Sequence, residues 1–214
     1  MKDYTNEEIK SMEEEFKSLL RKINRPNANI EGLIEKLENS DFFYAPASSK
    51  YHNSCFGGLV NHSLNVYNNL TLLVKMKKLE NIISEESIII CALLHDMSKL
   101  NFYEQTSRNK KFYHSDGLKK DELGYFDWIA ERGWSIVPDN KRFIYGSHEE
   151  TSEFMVRCYI PLTLEESIAI LHHHSGMSND STVKNLGSIY SRFPIANLLH
   201  VADMLATFTD EKYE

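Results

Sequence analysis

The sequence predicts an all-α protein, a helical bundle with a small irregular or hairpin insertion. Residues 5–23 place Ile9, Met12, Phe16, Leu19, Leu20 and Ile23 on one stripe amid Glu and Lys, the period of a half-buried helix. Ser147 with Glu150, and Thr163 with Glu166, form S/T-x-x-E pairs, in which side chains and backbone satisfy the free N–H groups of a helix start. The 214 residues hold no repeat or low-complexity tract and suffice to bury one sizeable core.

The elements follow in order. After the first helix, residues 30–38 repeat apolar positions at Leu33, Ile34 and Leu37, a second short helix. Residues 41–58 carry Pro, Ser and Gly punctuation and read as an ordered, irregular loop. Residues 59–79 read as a long helix with His62 in its first turn. Ser84 then caps a helix whose acidic first turn, Glu85 and Glu86, suits the positive end of the helix dipole. The run Ile88-Ile89-Ile90 alone would pass for a strand, but the cap and the following Ala92-Leu93-Leu94 favour a helix. Between residues 100 and 146 the pattern breaks down, suggesting a hairpin turning at Arg108-Asn109 and a connection holding one short helix over 123–132. Helices open at Ser147 and Thr163, and a last helix begins near Ser191, with Pro194 in its first turn, and runs through Asp203 towards Thr209. Residues 1–40 are thus N-terminal helices packing on a main domain over 41–214. The acidic first helix could also face a partner chain, and the sequence does not specify an oligomeric state.

Thirty-one acidic against twenty-four basic residues, a net charge of -7, argue against a non-specific grip on long nucleic acid, which needs clustered cations. A small anion stays compatible, because a metal ion reverses the potential of its site. Cys55, Cys91 and Cys158 are odd in number and lack a CxxC pair, the usage of reduced thiols in a cytoplasmic protein. The amino terminus is polar and acidic, unlike a secretion signal, and the longest apolar run, 88–94, is too short to cross a bilayer. A membrane partner is therefore not expected.

The candidate chemistry centres on His95-Asp96, an imidazole and a carboxylate side by side at a helix end, with Lys99 one turn on. Nine histidines are present, and most histidines serve the core or the surface. His62, His95, Asp96 and Asp203 differ because their neighbours are apolar, so each polar group needs a partner. Asp203, among Val201, Ala202, Met204, Leu205 and Ala206, is the clearest case. An N-cap role or a salt bridge to Lys99 is the alternative explanation for it.

The order H…HD…D resembles the HD-domain superfamily of metal-dependent phosphohydrolases. The resemblance spans about residues 41–210 and includes three contexts: YAPASSKYHNSCFGGLVNHS, LLHDMSKLNFY and PIANLLHVADMLAT. It implies a helical bundle holding a metal through His62, His95, Asp96 and Asp203. Two-metal members add two histidines, which match His148 and His173 here; His172 and His174 flank the latter, so one of the three is the implied ligand. Nitrogen and carboxylate donors suit one or two divalent ions among Mn, Fe, Co, Ni, Zn and Mg. Such an ion acidifies its water for attack on phosphorus. Asp96 can also carry a proton, and Lys99 either binds a substrate phosphate or orients Asp96. Arg108, Lys110 and Lys111 are candidate phosphate contacts, against the plainer reading of a wet, charged turn.

The implied substrate is a small phosphate ester, a nucleotide or a phosphodiester. Tyr44, Tyr103, Tyr113 and Trp134 are candidates to stack a base, although core packing explains an aromatic residue more often. The motif contexts look most like the HD portion of bacterial 3'-to-5' exoribonucleases, which carry an OB fold ahead of it; residues 1–40 are helical and too few for such a barrel. The alternatives are a 3'-5' exoribonuclease-like nuclease, a deoxynucleotide triphosphohydrolase, and a non-catalytic module that binds a metal or a nucleotide.

Overall fold

The computed structural model describes residues 3–174 and 185–211. Helix α1 (Asn6–Leu20) opens on a capping box between Thr5 and Glu8 and buries Ile9, Phe16, Leu19 and Leu20. Helix α2 (Ile30–Glu38) buries Leu33, Ile34 and Leu37, the three positions its spacing selects. Both pack into one cluster with Leu59, Val60, Ile90 and Leu93 of the next two helices, α3 (Gly58–Met76) and α4 (Glu85–Leu94). Every residue of α4 from Ile88 to Leu94 is buried, the pattern of a helix enclosed on all sides. A second apolar cluster joins Val66, Leu70 and Val74 of α3 to Ile195, Leu199 and Ala202.

The fold is not all-α. Between a 3-10 turn (Met97–Lys99) and helix α5 (His148–Arg157) lies a three-stranded antiparallel sheet, making the protein helix-rich mixed α/β. Its strands are β1 (Tyr103–Tyr113), β2 (Lys119–Asp121) and β3 (Gly124–Ile136), in the order β1-β3-β2. Tyr103 pairs with Ile136 and Tyr113 with Phe126, so Arg108 and Asn109 lie mid-strand and the expected turn there does not exist. The helix expected over 123–132 is the first part of β3. The inserted strands are mostly exposed on both faces and do not alternate in burial, so no period of two marked them. The sheet stands on the 41–57 loop: Trp134 meets Phe56 edge-on at 5.0 Å, and Arg108 donates to the Ser49 carbonyl at 3.4 Å.

Both expected capping boxes are present, opening α5 at Ser147 and α6 (Leu164–Leu171) at Thr163. The expected last helix starts later than expected, as α8 (Pro194–Leu205), and Ser191 belongs to the end of a separate short helix, α7 (Leu186–Arg192). Phe193 between them leaves the helical region (φ -123°, ψ 83°), as a residue before proline prefers, and Pro194 enters α8 at a position where no N–H is needed. A π-helical turn (Ala206–Asp210) follows, ending at Glu211. Among the described residues no helix is long and apolar enough to cross a membrane.

Candidate metal centre

Each polar side chain at the centre is delivered by a helix end or a helix face. His62 lies in the second turn of α3, whose start is fixed by two glycines: Gly57 takes φ 78°, and a Cβ on Gly58 would collide with the Asn53 carbonyl oxygen. His95 ends α4, and the 3-10 turn after Asp96 folds Lys99 back so that Nζ donates to Asp96 Oδ2 at 2.6 Å. His148 is the first residue of α5, His173 and His174 follow the end of α6, and Asp203 projects from α8.

These residues converge. His62 Nε2 lies 3.3 Å from His95 Nε2, 3.2 Å from Asp203 Oδ1 and 3.6 Å from Asp96 Oδ2. His95 Nε2 is 3.5 Å from the same Asp96 oxygen. The other oxygen of Asp96, Oδ1, meets His148 Nε2 at 2.6 Å and His173 Nε2 at 3.7 Å. His174 Nε2 stands 3.3 Å from Asp203 Oδ2. His62, His95, Asp96, His173 and Asp203 are buried, whereas the side chains of His148 and His174 are 24% and 32% exposed and mark the open side.

The far nitrogen of each imidazole explains which way it faces. His95 Nδ1 donates to the Ala92 carbonyl at 2.9 Å and His173 Nδ1 to the Ile170 carbonyl at 2.7 Å, which leaves both Nε2 lone pairs aimed inward. His62 Nδ1 lies 2.9 Å from Glu211 Oε1, which turns its Nε2 towards that of His95. Two lone pairs facing each other at that distance need a proton or a cation between them. His173 Nε2 is buried with no hydrogen-bond partner. These convergent donors fit a metal ion: His62, His95 and Asp96 form one group with ligand atoms within 4.8 Å of each other, His95, His173 and Asp203 another, and His148, His173 and His174 a third.

The electrostatics agree with that fit. Burial raises the carboxyl groups of Asp96 and Asp203, yet Lys99 and His148 around the first, and His174 and His62 around the second, hold both well below the usual carboxylate range. Burial pushes His95 down to about 3 and lowers His173, so both are neutral, the form in which an imidazole can hold a metal ion. Burial also opposes charge on His62, but Glu211 and Asp203 outweigh it and raise the group to about 10. Without a cation, His62 therefore carries the proton that balances its two carboxylates; a metal ion would take that proton's place.

All six expected ligands, His62, His95, Asp96, His148, His173 and Asp203, thus meet in one cluster. Lys99 joins them, buried and bonded to Asp96. Arg108 and Lys111 make their bonds elsewhere: Arg108 donates to the 41–57 loop, and Lys111 pairs with Asp121 at 2.5 Å and sits over the Phe126 ring. Lys110 pairs with Glu131. Of the aromatic candidates, Trp134 is buried against Phe56 and Tyr44 and Tyr113 are exposed; Tyr103, whose phenol is raised by burial, feels both Lys99 and Asp96.

Sequence reading missed Glu211, His52 and the roles of His174 and Ser98. The His52 ring lies 5.0 Å from that of His62, and His52, His62 and Glu211 form a further group of close ligand atoms. His174 also approaches Glu149, and it is raised to about 9: burial opposes its charge, but Asp203 and Glu149 prevail. Ser98 Oγ lies 2.6 Å from His148 Nδ1 and is itself bonded by Ser152 at 3.0 Å. Compared with family models, curated proteins and solved structures, the chain gives no match.

Proposed function

We propose that the protein is a metal-dependent phosphohydrolase of the HD type, acting on a small phosphate ester such as a nucleotide or phosphodiester. The observation that carries this reading is the position of Asp96, whose Oδ2 faces His62 and His95 while its Oδ1 faces His148 and His173. A carboxylate shared between two sets of imidazoles suits a pair of ions, and the donor set suits Mn, Fe, Co, Ni, Zn or Mg. His62, His95, Asp96 and Asp203 would hold the first ion, and His148, His173 and Asp96 the second. Bound there, divalent ions supply Lewis acidity and a water acidified towards neutrality.

The chain's own groups do the rest. Lys99 keeps Asp96 ionised and fixes its plane through a 2.6 Å bond. Asp96, held ionised with both oxygens engaged, would serve as a ligand, and the proton released as water attacks phosphorus leaves to solvent on the open side. Glu211, the Ala92 carbonyl and the Ile170 carbonyl hold three imidazoles in the tautomers that leave Nε2 free. Substrate reaches the centre from the side of His148 and His174, where exposure is greatest.

The test is turnover of p-nitrophenyl phosphate, bis-p-nitrophenyl phosphate, nucleotides and cyclic nucleotides, with added Mn or Co and after chelation. Hydrolysis that disappears on chelation and in His95→Ala/Asp96→Ala, with helical circular dichroism retained, supports the proposal. Turnover undiminished in that variant refutes it, and ions bound without turnover of any ester leave a binding module instead.

A further inference from the structure

A second feature adjoins Ser98, the residue bonded to His148 Nδ1. A cleft of about 320 Å³ is bordered by Lys36 of α2, Ser98 of the 3-10 turn, Lys141, Arg142 and Phe143 ahead of α5, and Phe154 within α5. Its size falls at the small end of ligand pockets. Three of its side chains are cations, and no carboxylate lines it, in a chain of net charge -7. Among the described residues, Lys36 and Lys141 make no ion pair. Arg142 leans over the Phe102 ring and reaches Asp139, but its Nε is buried with no partner. The Nε has no accessible surface, so what a ligand in the cleft would meet is the rest of the guanidinium, whose side chain stays 21% exposed.

Aromatic rings also line the cleft. Phe143 and Phe154 stack with centroids 5.8 Å apart at 21°, and Tyr145 stacks on Phe154 at 4.2 Å and 18°. Phe143 is 53% exposed, so the stack ends on a ring face without its full complement of neighbours. A smaller pocket continues from this cleft past Arg142, Phe143 and Ser98 to His148.

From three cations and an open aromatic stack in one cleft, we infer a binding site for a nucleoside phosphate, separate from the metal centre. The ring extends the stack from Phe143, and the phosphates lie among Arg142, Lys141 and Lys36. Ser98 connects this site to the centre, because the residue lines the cleft and its hydroxyl bonds His148 Nδ1. Only this connection rests on the hydrolase reading; the binding itself does not.

Calorimetric titration of the metal-free protein with ADP, adenosine and inorganic phosphate tests the inference without any turnover. ADP should bind, with adenosine and phosphate each weaker by at least about tenfold, since each supplies half of the contacts. Arg142→Ala should weaken ADP at least about tenfold, as loss of a charge-assisted contact does, and the exposed Lys141→Glu should do so too. His95→Ala/Asp96→Ala should leave ADP affinity unchanged, which separates this site from the metal centre. No ADP binding to the folded protein overturns the inference. So does binding that survives Arg142→Ala and Lys141→Glu but vanishes in His95→Ala/Asp96→Ala.

Discussion

Glu211 and Asp203 approach opposite nitrogens of the His62 ring, Nδ1 at 2.9 Å and Nε2 at 3.2 Å, from one stretch of chain. The π-helical turn between them shifts the chain so that Glu211 folds back onto α3, where Asn65 also donates to it at 3.2 Å. Glu211→Gln keeps the shape but not the charge. It should lower metal affinity about 10–100-fold, the usual cost of losing a carboxylate behind a metal-binding histidine, and should also lower the thermal midpoint of the metal-free protein, in which the His62 proton balances Glu211 and Asp203. Unchanged metal affinity in a competition titration would remove Glu211 from the centre. His62, His95, Asp96 and Asp203 were legible in the sequence because polar groups stood in apolar company. Glu211 was not, since it sits in a polar tail where a carboxylate needs no explanation. Three consecutive histidines, 172 to 174, gave no register; the back-bond from His173 Nδ1 to Ile170 and the burial of its Nε2 distinguish it.

At the level of elements, the caps carried most of what could be read. Ser147 accepts from the Glu150 N–H at 3.2 Å, and Glu150 returns the bond to the Ser147 N–H at 2.7 Å, so the start of α5 and the position of His148 are set together. Ser147→Ala should destabilise the protein by about 1 kcal/mol, the typical loss of such a cap, seen as a lower urea midpoint at unchanged slope. It should also weaken occupancy of the second ion more than the first; equal weakening of both would detach His148 from that role. The sheet was illegible for a physical reason. Its strands project from the body with polar and apolar residues on both faces, so burial imposes no alternation, and β3 with its Tyr, Phe, Trp and Ile shows strand preference only through composition. A helix inferred there had neither a cap nor a periodic apolar stripe behind it.

Across the whole molecule, one partly buried arginine ties distant segments together. Arg25, between α1 and α2, bonds both oxygens of Glu166 at 2.7 and 2.5 Å, Glu86 at 3.0 Å and the Pro161 carbonyl at 3.0 Å. Glu166 is fully buried and also accepts from Ser87 and from the Thr163 N–H. Burial raises its carboxyl group, but Arg25, Thr163 and Ser87 bring it below its ordinary value. Because the folded value is the lower one, the stability it contributes is present above the unfolded carboxylate range, about 4.3, and is lost as pH falls through the folded value. Arg25→Ala leaves that carboxylate buried and unpaired, and should cost about 3–5 kcal/mol near neutral pH. The difference in urea midpoint between parent and variant should narrow as pH is lowered below about 4.3; a constant difference would mean that charge at Glu166 is not what Arg25 secures.

The convergence of α3, α4, α5, α6 and α8 on Asp96 is the central claim, and the most direct measurement is metal content by elemental analysis after equilibrium dialysis against Mn or Co. The parent should retain about two ions per chain and His148→Ala about one, while His95→Ala/Asp96→Ala should retain none above background. A parent protein that stays metal-free at every ion concentration tried, or variants that hold as much metal as the parent, would contradict it.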